Sequence, residues 1–123
     1  MATLETTARN AACDAVVDLI DGGAGAGLLV FRTAGDVEVA TLTFSDPAFG
    51  ASAAGVATAS AITDDSSATG GTTTKATFET SAATIILTAT VGTSGQDINL
   101  SNNVVGAGNT VQISSLTVTM PAS

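Results

Sequence analysis

Hydrophobic and polar positions change rhythm once along this chain. Toward the N-terminus, Leu4, Ala8, Ala11, Ala12, Ala15, Val16, Leu19 and Ile20 recur at steps of three and four, the spacing of one helical face. The spacing predicts a helix over about 4–21. Thr3 suits the N-cap, and Asp21-Gly22-Gly23 supplies the stop, because glycine takes the left-handed position after a helix without a Cβ clash. Cys13 and Val17 lie off the main stripe and make the apolar arc wider than one contact surface requires. Two readings stay open: a helix tucked between a sheet and a loop, or a second helix edge, carrying Cys13 and Val17, that forms a self-association face.

After the connector Gly22-Gly23-Ala24-Gly25-Ala26-Gly27 the period becomes two, the mark of strands. Residues 28–33 and 37–44 predict a hairpin about Ala34-Gly35-Asp36. Val37 and Val39 are odd whereas Leu42 and Phe44 are even, so that strand must change face, and a bulge is expected near Ala40-Thr41. The stretch Thr41-Leu42-Thr43-Phe44-Ser45-Asp46-Pro47-Ala48-Phe49-Gly50 then reads as a strand end and a tight corner. Pro47 has no amide to donate, Asp46 is suited to bond local backbone, Phe44 and Phe49 anchor the corner in the core, and Gly50 lets the chain turn away.

A further extended run covers 56–63, followed by a polar loop over 64–71 that is expected to face outward. Residues 72–80 and 84–91 predict a second hairpin joined at Ser81-Ala82-Ala83, with Ile85, Leu87, Ala89 and Val91 on one face. Gly92-Thr93-Ser94-Gly95 turns into a short strand over 97–100. The last run, 110–120, changes phase between Val111 and Ile113 on one side and Leu116, Val118 and Met120 on the other, which predicts a second bulge at Ser114-Ser115. Together these elements give a mainly β, single domain over 1–123. It is an antiparallel β-sandwich or jelly-roll-like barrel over about 28–121, preceded by one N-terminal α-helix.

Composition narrows the function. Apolar residues make up 45% of the 123 residues, but many are alanine and only Phe31, Phe44, Phe49 and Phe78 are aromatic. Ordering a residue costs about 1–2 kcal/mol of backbone entropy, and small side chains offset less of that at about 25 cal/mol per Å² buried. Such a thin core favours added burial against other chains, so a homo-oligomer is expected. The formal net charge of −8, with Arg9, Arg32 and Lys75 scattered, argues against a nucleic-acid partner. No run reaches the roughly 20 apolar residues of a membrane span, and the first residues lack a basic, then apolar leader, so synthesis in a host cytoplasm without secretion is expected.

Catalytic and ligand chemistry is sparse. With no histidine, tyrosine or tryptophan, the common general base, metal ligand and stacking platforms are missing. Cys13 has no second cysteine to pair with. The glycine-rich connector follows a helix and precedes a strand, the reverse of a phosphate-cradling loop, and lacks Gly-Lys-Ser/Thr. Asp64-Asp65 lacks the spaced acids of a calcium loop. Asp14 with Asp18 on the helix is a pair only by sequence. No serine sits in Gly-x-Ser-x-Gly. The expectation is a non-enzyme with no cofactor and no metal.

The residues 41–50 with Gly55-Val56-Ala57-Thr58-Ala59 resemble a group of small virion proteins of tailed double-stranded DNA phages. The resemblance extends to Ala8-Arg9-Asn10 and Leu19-Ile20-Asp21-Gly22-Gly23, to residues 91–100, and to Ser115-Leu116-Thr117-Val118-Thr119-Met120-Pro121, in the same order over most of the chain. The Asp-Pro-Ala-Phe-Gly corner is its most specific part. Such proteins look like head decoration or cement proteins, which implies a place on the capsid surface of the virion and the major capsid protein, or other virion proteins, as partners. Lys75-Ala76-Thr77-Phe78-Glu79 departs from the group's pattern, where a Trp-Phe-Arg-like stretch is usual. A tail, neck or fibre component is the alternative within virions. A carbohydrate-binding β-sandwich module is the alternative from another class, disfavoured because sugar rings stack on aromatic faces.

Overall fold

The computed structural model describes residues 2–121. The helix α1 spans Thr6–Asp18 and tightens into a 3₁₀ turn over Leu19–Asp21. Among the described residues nine strands follow: β1 Leu28–Arg32, β2 Glu38–Thr43, β3 Val56–Thr58, β4 Gly71–Thr72, β5 Lys75–Glu79, β6 Ile85–Gly92, β7 Ile98–Asn99, β8 Val104–Val105 and β9 Thr117–Thr119. The chain is mainly β with a single helix near its N-terminus, and its principal sheet is a curled half-barrel. That sheet has the order β2-β1-β5-β6-β7, and two small ribbons pair β3 with β9 and β4 with β8.

Both predicted hairpins form. β1 pairs antiparallel with β2, and β5 with β6, while β1 and β5 pair with each other to join them. The bulge expected near Ala40-Thr41 sits one step earlier. Phe31 faces Ala40 and Arg32 faces Glu38, so Val39 is the extra residue, and both Val39 and Ala40 are fully buried. A second bulge, not anticipated, lies in β6, where Phe78 faces Leu87 but Glu79 faces Ile85. It turns Ile85 out to 55% exposure and corrects the expectation that Ile85 shares the inner face with Leu87, Ala89 and Val91. The short strand β7 is another correction: it pairs with β6 in parallel.

The inner face of the sheet carries Leu29, Phe31, Leu42, Ala76, Phe78 and Val91, and the helix, the corner and the ribbon of β3 and β9 complete the core with Cys13, Val17, Ile20, Phe44, Phe49 and Ala57. Phe44 is the hub, with ring centroids 5.6 Å from Phe49 and 5.9 Å from Phe78. The opposite face of the sheet is polar and still largely covered. Glu79, 2% exposed, accepts from Arg32 at 2.8 Å and from the Thr77 hydroxyl, and Arg32 Nε donates to Thr77 Oγ1 at 3.1 Å. A buried carboxylate requires such a set of donors.

α1 lies against β3 and β9. Its N-cap is Glu5, without a side-chain cap bond, rather than Thr3. The helix turns its buried side, Cys13 and Val17, into the core, and Cys13 Sγ donates to the Val118 carbonyl at 3.4 Å. The self-association face expected at Cys13 and Val17 is therefore interior. The side left exposed carries Leu4, Ala8, Ala11, Ala15 and Leu19. Most of the predicted stripe is thus the outer side of the helix, and the residues off it, Cys13 and Val17, are the ones that pack inward.

Candidate functional site

The predicted corner is a structural device, and the helix reads it. Asp21 Oδ1 accepts from Ala48 N at 2.9 Å, Asp14 Oδ1 from Ser52 N at 2.8 Å and Asn10 Oδ1 from Gly55 N at 2.8 Å. A row of polar residues spaced along α1 and its 3₁₀ turn thus satisfies the backbone of residues 48–55, which lacks regular partners of its own. Phe44 and Phe49 are buried as expected. The Asp46–Pro47 bond is cis, and both residues are exposed. Among the described residues Asp46 makes no side-chain hydrogen bond; Ser45 does so instead, donating to the Pro47 carbonyl at 3.0 Å. Gly50 is not where the chain reverses. The tight turn is Ala54-Gly55, with φ of 53° and 79°, closed by paired bonds between Ala53 and Val56 at 2.9 Å. Positive φ at both central residues is what a two-residue hairpin turn of this hand requires.

The two edges of the principal sheet differ. The β2 edge is covered by the 63–70 loop. Thr43 and Thr63 exchange backbone bonds at 3.2 and 2.8 Å, Asp65 Oδ2 accepts from Thr41 N at 2.9 Å, and Gly70 N donates to Val39 O at 3.1 Å. The polar loop expected to be only solvated is thus partly a lid on a sheet edge, with Ala68 buried beneath it. At the other edge β7 is only two residues long, and the chain beside it, residues 112–116, stays apart.

On their other side residues 112–116 also stand apart from 59–64. β3 and β9 pair from Val56↔Thr119 to Thr58↔Thr117, and the same two stretches meet again at the bridge Asp65↔Val111. Between these points six residues on one side, 59–64, face five on the other, 112–116. Just past the end of the β3–β9 ladder, where Ala59 N donates to Leu116 O at 2.8 Å, this one-residue mismatch is not absorbed in a bulge and the two stretches separate. The strand expected over 110–120 with a bulge at Ser114-Ser115 is cut back to β9 at Thr117–Thr119, and no bulge forms because residues 112–116 belong to no ladder. Among the described residues, the backbone groups of Gln112, Ile113, Ser114 and Ser115 have no hydrogen-bond partner within the chain.

Three clefts surround this unpaired stretch, and Ile113 and Ser115 line all of them. The largest, about 640 Å³, lies between residues 99–105 and 109–115. One of about 250 Å³ separates 59–62 from 113–116, and one of about 140 Å³ separates β7 from 113–117. Their surroundings combine amides and hydroxyls with a few apolar side chains, of which Val104 is 59% exposed. Asp64 lines the first cleft and Asp97 the third, and no lysine or arginine lines any of the three. The cations are spent elsewhere: Arg32 on Glu79, Lys75 on Asp36 at 2.5 Å, and Arg9 on Thr6 and Ala54. Lys75 holds the Asp36 carboxyl below its ordinary range, first by its hydrogen bond and then by its charge.

Sequence reading found the irregularity of this stretch but not its openness, because nothing in the order of residues shows which neighbour a strand fails to pair with. Among the described residues, no three histidine, cysteine, aspartate or glutamate side chains gather as metal ligands, and no helix is long and apolar enough to cross a membrane. Chemically, the arrangement offers backbone donors and acceptors, amides and negative charge to an extended ligand. Comparison with protein-family models, with curated proteins and with solved structures found no match for this chain.

Proposed function

We propose that this chain is a structural protein of a tailed-phage virion, a decoration or cement protein that binds the outside of the mature head and bridges neighbouring subunits of the shell. The observation that carries the reading is the open stretch of residues 112–115, flanked by clefts and left without backbone partners within the chain. Such a surface suits a chain whose work is to hold another chain by its main chain, as in strand addition to a sheet edge. The resemblance of the corner at residues 44–50 and of the stretches in order around it supplies the virion context. A shell repeats one site many times, so modest contacts become tenacious when several copies engage together.

The test is the copy number of this protein in purified particles relative to the major shell protein. A ratio on the order of one per shell subunit, or one per few, is the expected result. A handful of copies per particle assigns the chain to the neck, tail or fibre instead, and absence from particles rejects the virion reading.

A further inference from the structure

The open groove around residues 112–115 carries information about its occupant. Its floor and rim offer main-chain hydrogen bonding along four residues, which a compact small molecule does not use but an extended chain does. Among the described residues, its only charged side chains are those of Asp64 and Asp97. Asp97 is committed, since its Oδ2 accepts from Thr90 N at 3.0 Å. Asp64 is exposed and, among the described residues, makes no hydrogen bond or ion pair. The exposed Val104 and half-buried Ile113 give an apolar side chain of the occupant somewhere to rest.

We infer that this groove takes an extended segment of the partner shell protein, added as a strand along residues 112–115, with a lysine or arginine of that segment at Asp64. The inference rests on the decoration reading and names the partner's chemistry. A second copy is the poorer occupant. This chain is −8 overall, and two of its three Lys and Arg residues, Arg32 and Lys75, are paired with its own acids, so docking a copy there brings mostly acid against acid. The same acidity keeps the open edge from pairing with copies in solution, which is how exposed edges are commonly protected.

The test uses the full chain and purified particles assembled without it. Binding is measured across a salt series, and backbone hydrogen exchange is compared between free and bound protein. The expected result is slowed exchange over residues 98–105 and 111–116 on binding, an affinity that falls as salt rises, and a loss of about fivefold or more for Asp64→Lys at low salt. Ser114→Pro, which removes a free amide, weakens binding as well. Circular dichroism of both variants checks that they remain folded; Asp64→Lys alters only an exposed loop residue and decides the case if Ser114→Pro does not fold. Wild-type binding with protection elsewhere, or unchanged by Asp64→Lys, overturns this inference and leaves decoration standing. No wild-type binding overturns both. Protection of the groove that grows with concentration in the chain alone makes the occupant a second copy and also overturns it.

Discussion

Truncating Phe44 is the sharpest test of how this thin core holds together. The ring is 2% exposed and sits within 6 Å of two of the other three aromatic rings, at 5.6 Å from Phe49 and 5.9 Å from Phe78. Phenylalanine to alanine in a core costs about 3–5 kcal/mol, as lost transfer energy plus the cavity left behind. Aromatic pairs add about 0.5–1.5 kcal/mol each beyond burial. The surrounding core is rich in fully buried alanines, Ala40, Ala48, Ala57 and Ala76, which have no rotamers with which to fill a void. The upper part of the range therefore applies, about 4–5 kcal/mol. Domains of ordinary stability hold about 5–15 kcal/mol, so Phe44→Ala removes most of the margin. The melting temperature should fall by about 12–25 °C, at about 3–5 °C per kcal/mol for a chain of this length. With no tryptophan or tyrosine to report by fluorescence, urea unfolding is followed by far-ultraviolet circular dichroism. Phe44→Leu, which keeps most of the volume, should cost under about 1.5 kcal/mol. A loss below about 1.5 kcal/mol for Phe44→Ala, with an unchanged denaturant slope, would refute the view that these three rings organise the core.

Other predictions follow from single contacts. Val17→Asp should unfold the chain, because it places a charge at a site 2% exposed, whereas Leu19→Asp, at 55% exposure, should shift the urea midpoint little. Gly27→Ala should destabilise by about 1–3 kcal/mol, since its Cβ would lie 2.4 Å from the Ile20 side chain and 2.8 Å from two carbonyl oxygens. Arg32→Ala should cost about 3–5 kcal/mol by stranding the buried Glu79 carboxylate, and pairing it with Glu79→Gln should recover part of the loss in a double-mutant cycle. The Asp36 carboxyl titrates lower in the folded chain than the ordinary 3.8. Its link to Lys75 therefore stabilises above the ordinary value and is lost as pH falls through the lowered one. Urea midpoints for Lys75→Ala and wild type should accordingly converge as the solution is acidified below that range.

What was legible in the sequence was whatever depends on local period. The helix, both hairpins and the change of face near Ala40 follow from counting apolar positions, since a regular strand's side chains alternate and a break in the alternation marks a bulge. What was not legible depends on the partner of a strand. The bulge that expels Ile85 arises from how β6 meets Glu79, and the parallel pairing of β7 arises from a connection too short to be expected for it. Cys13 and Val17 were recognised as the second edge of the helix, but pattern alone does not say whether an edge faces a neighbour or the chain's own sheet. Asn10, Asp14 and Asp21 are ordinary helix-surface residues in a sequence. Only the fold shows that their oxygens serve the backbone of residues 48–55.

The contrast between the two sheet edges is the feature that links fold to proposed work. At the β2 edge the chain devotes the 63–70 loop, with Asp65 and Gly70 bonded to the strand, to closing the ladder. At the far side of the opening residues 112–115 find no such partner, neither in β7 nor in 59–64. Leaving Gln112–Ser115 unpaired forgoes about one net hydrogen bond's stabilisation, roughly 0.5–1.5 kcal/mol, for each bond not formed. A protein with a core this short of large side chains has little stability to give away. Ser114→Pro is therefore a direct test of what the opening is for, because it removes a free amide without breaking any backbone bond within the chain. If the gap serves only the fold, the substitution should leave particle binding intact. If the gap is the docking groove, it should weaken particle binding while the urea midpoint is preserved, a combination that a merely damaged protein does not produce.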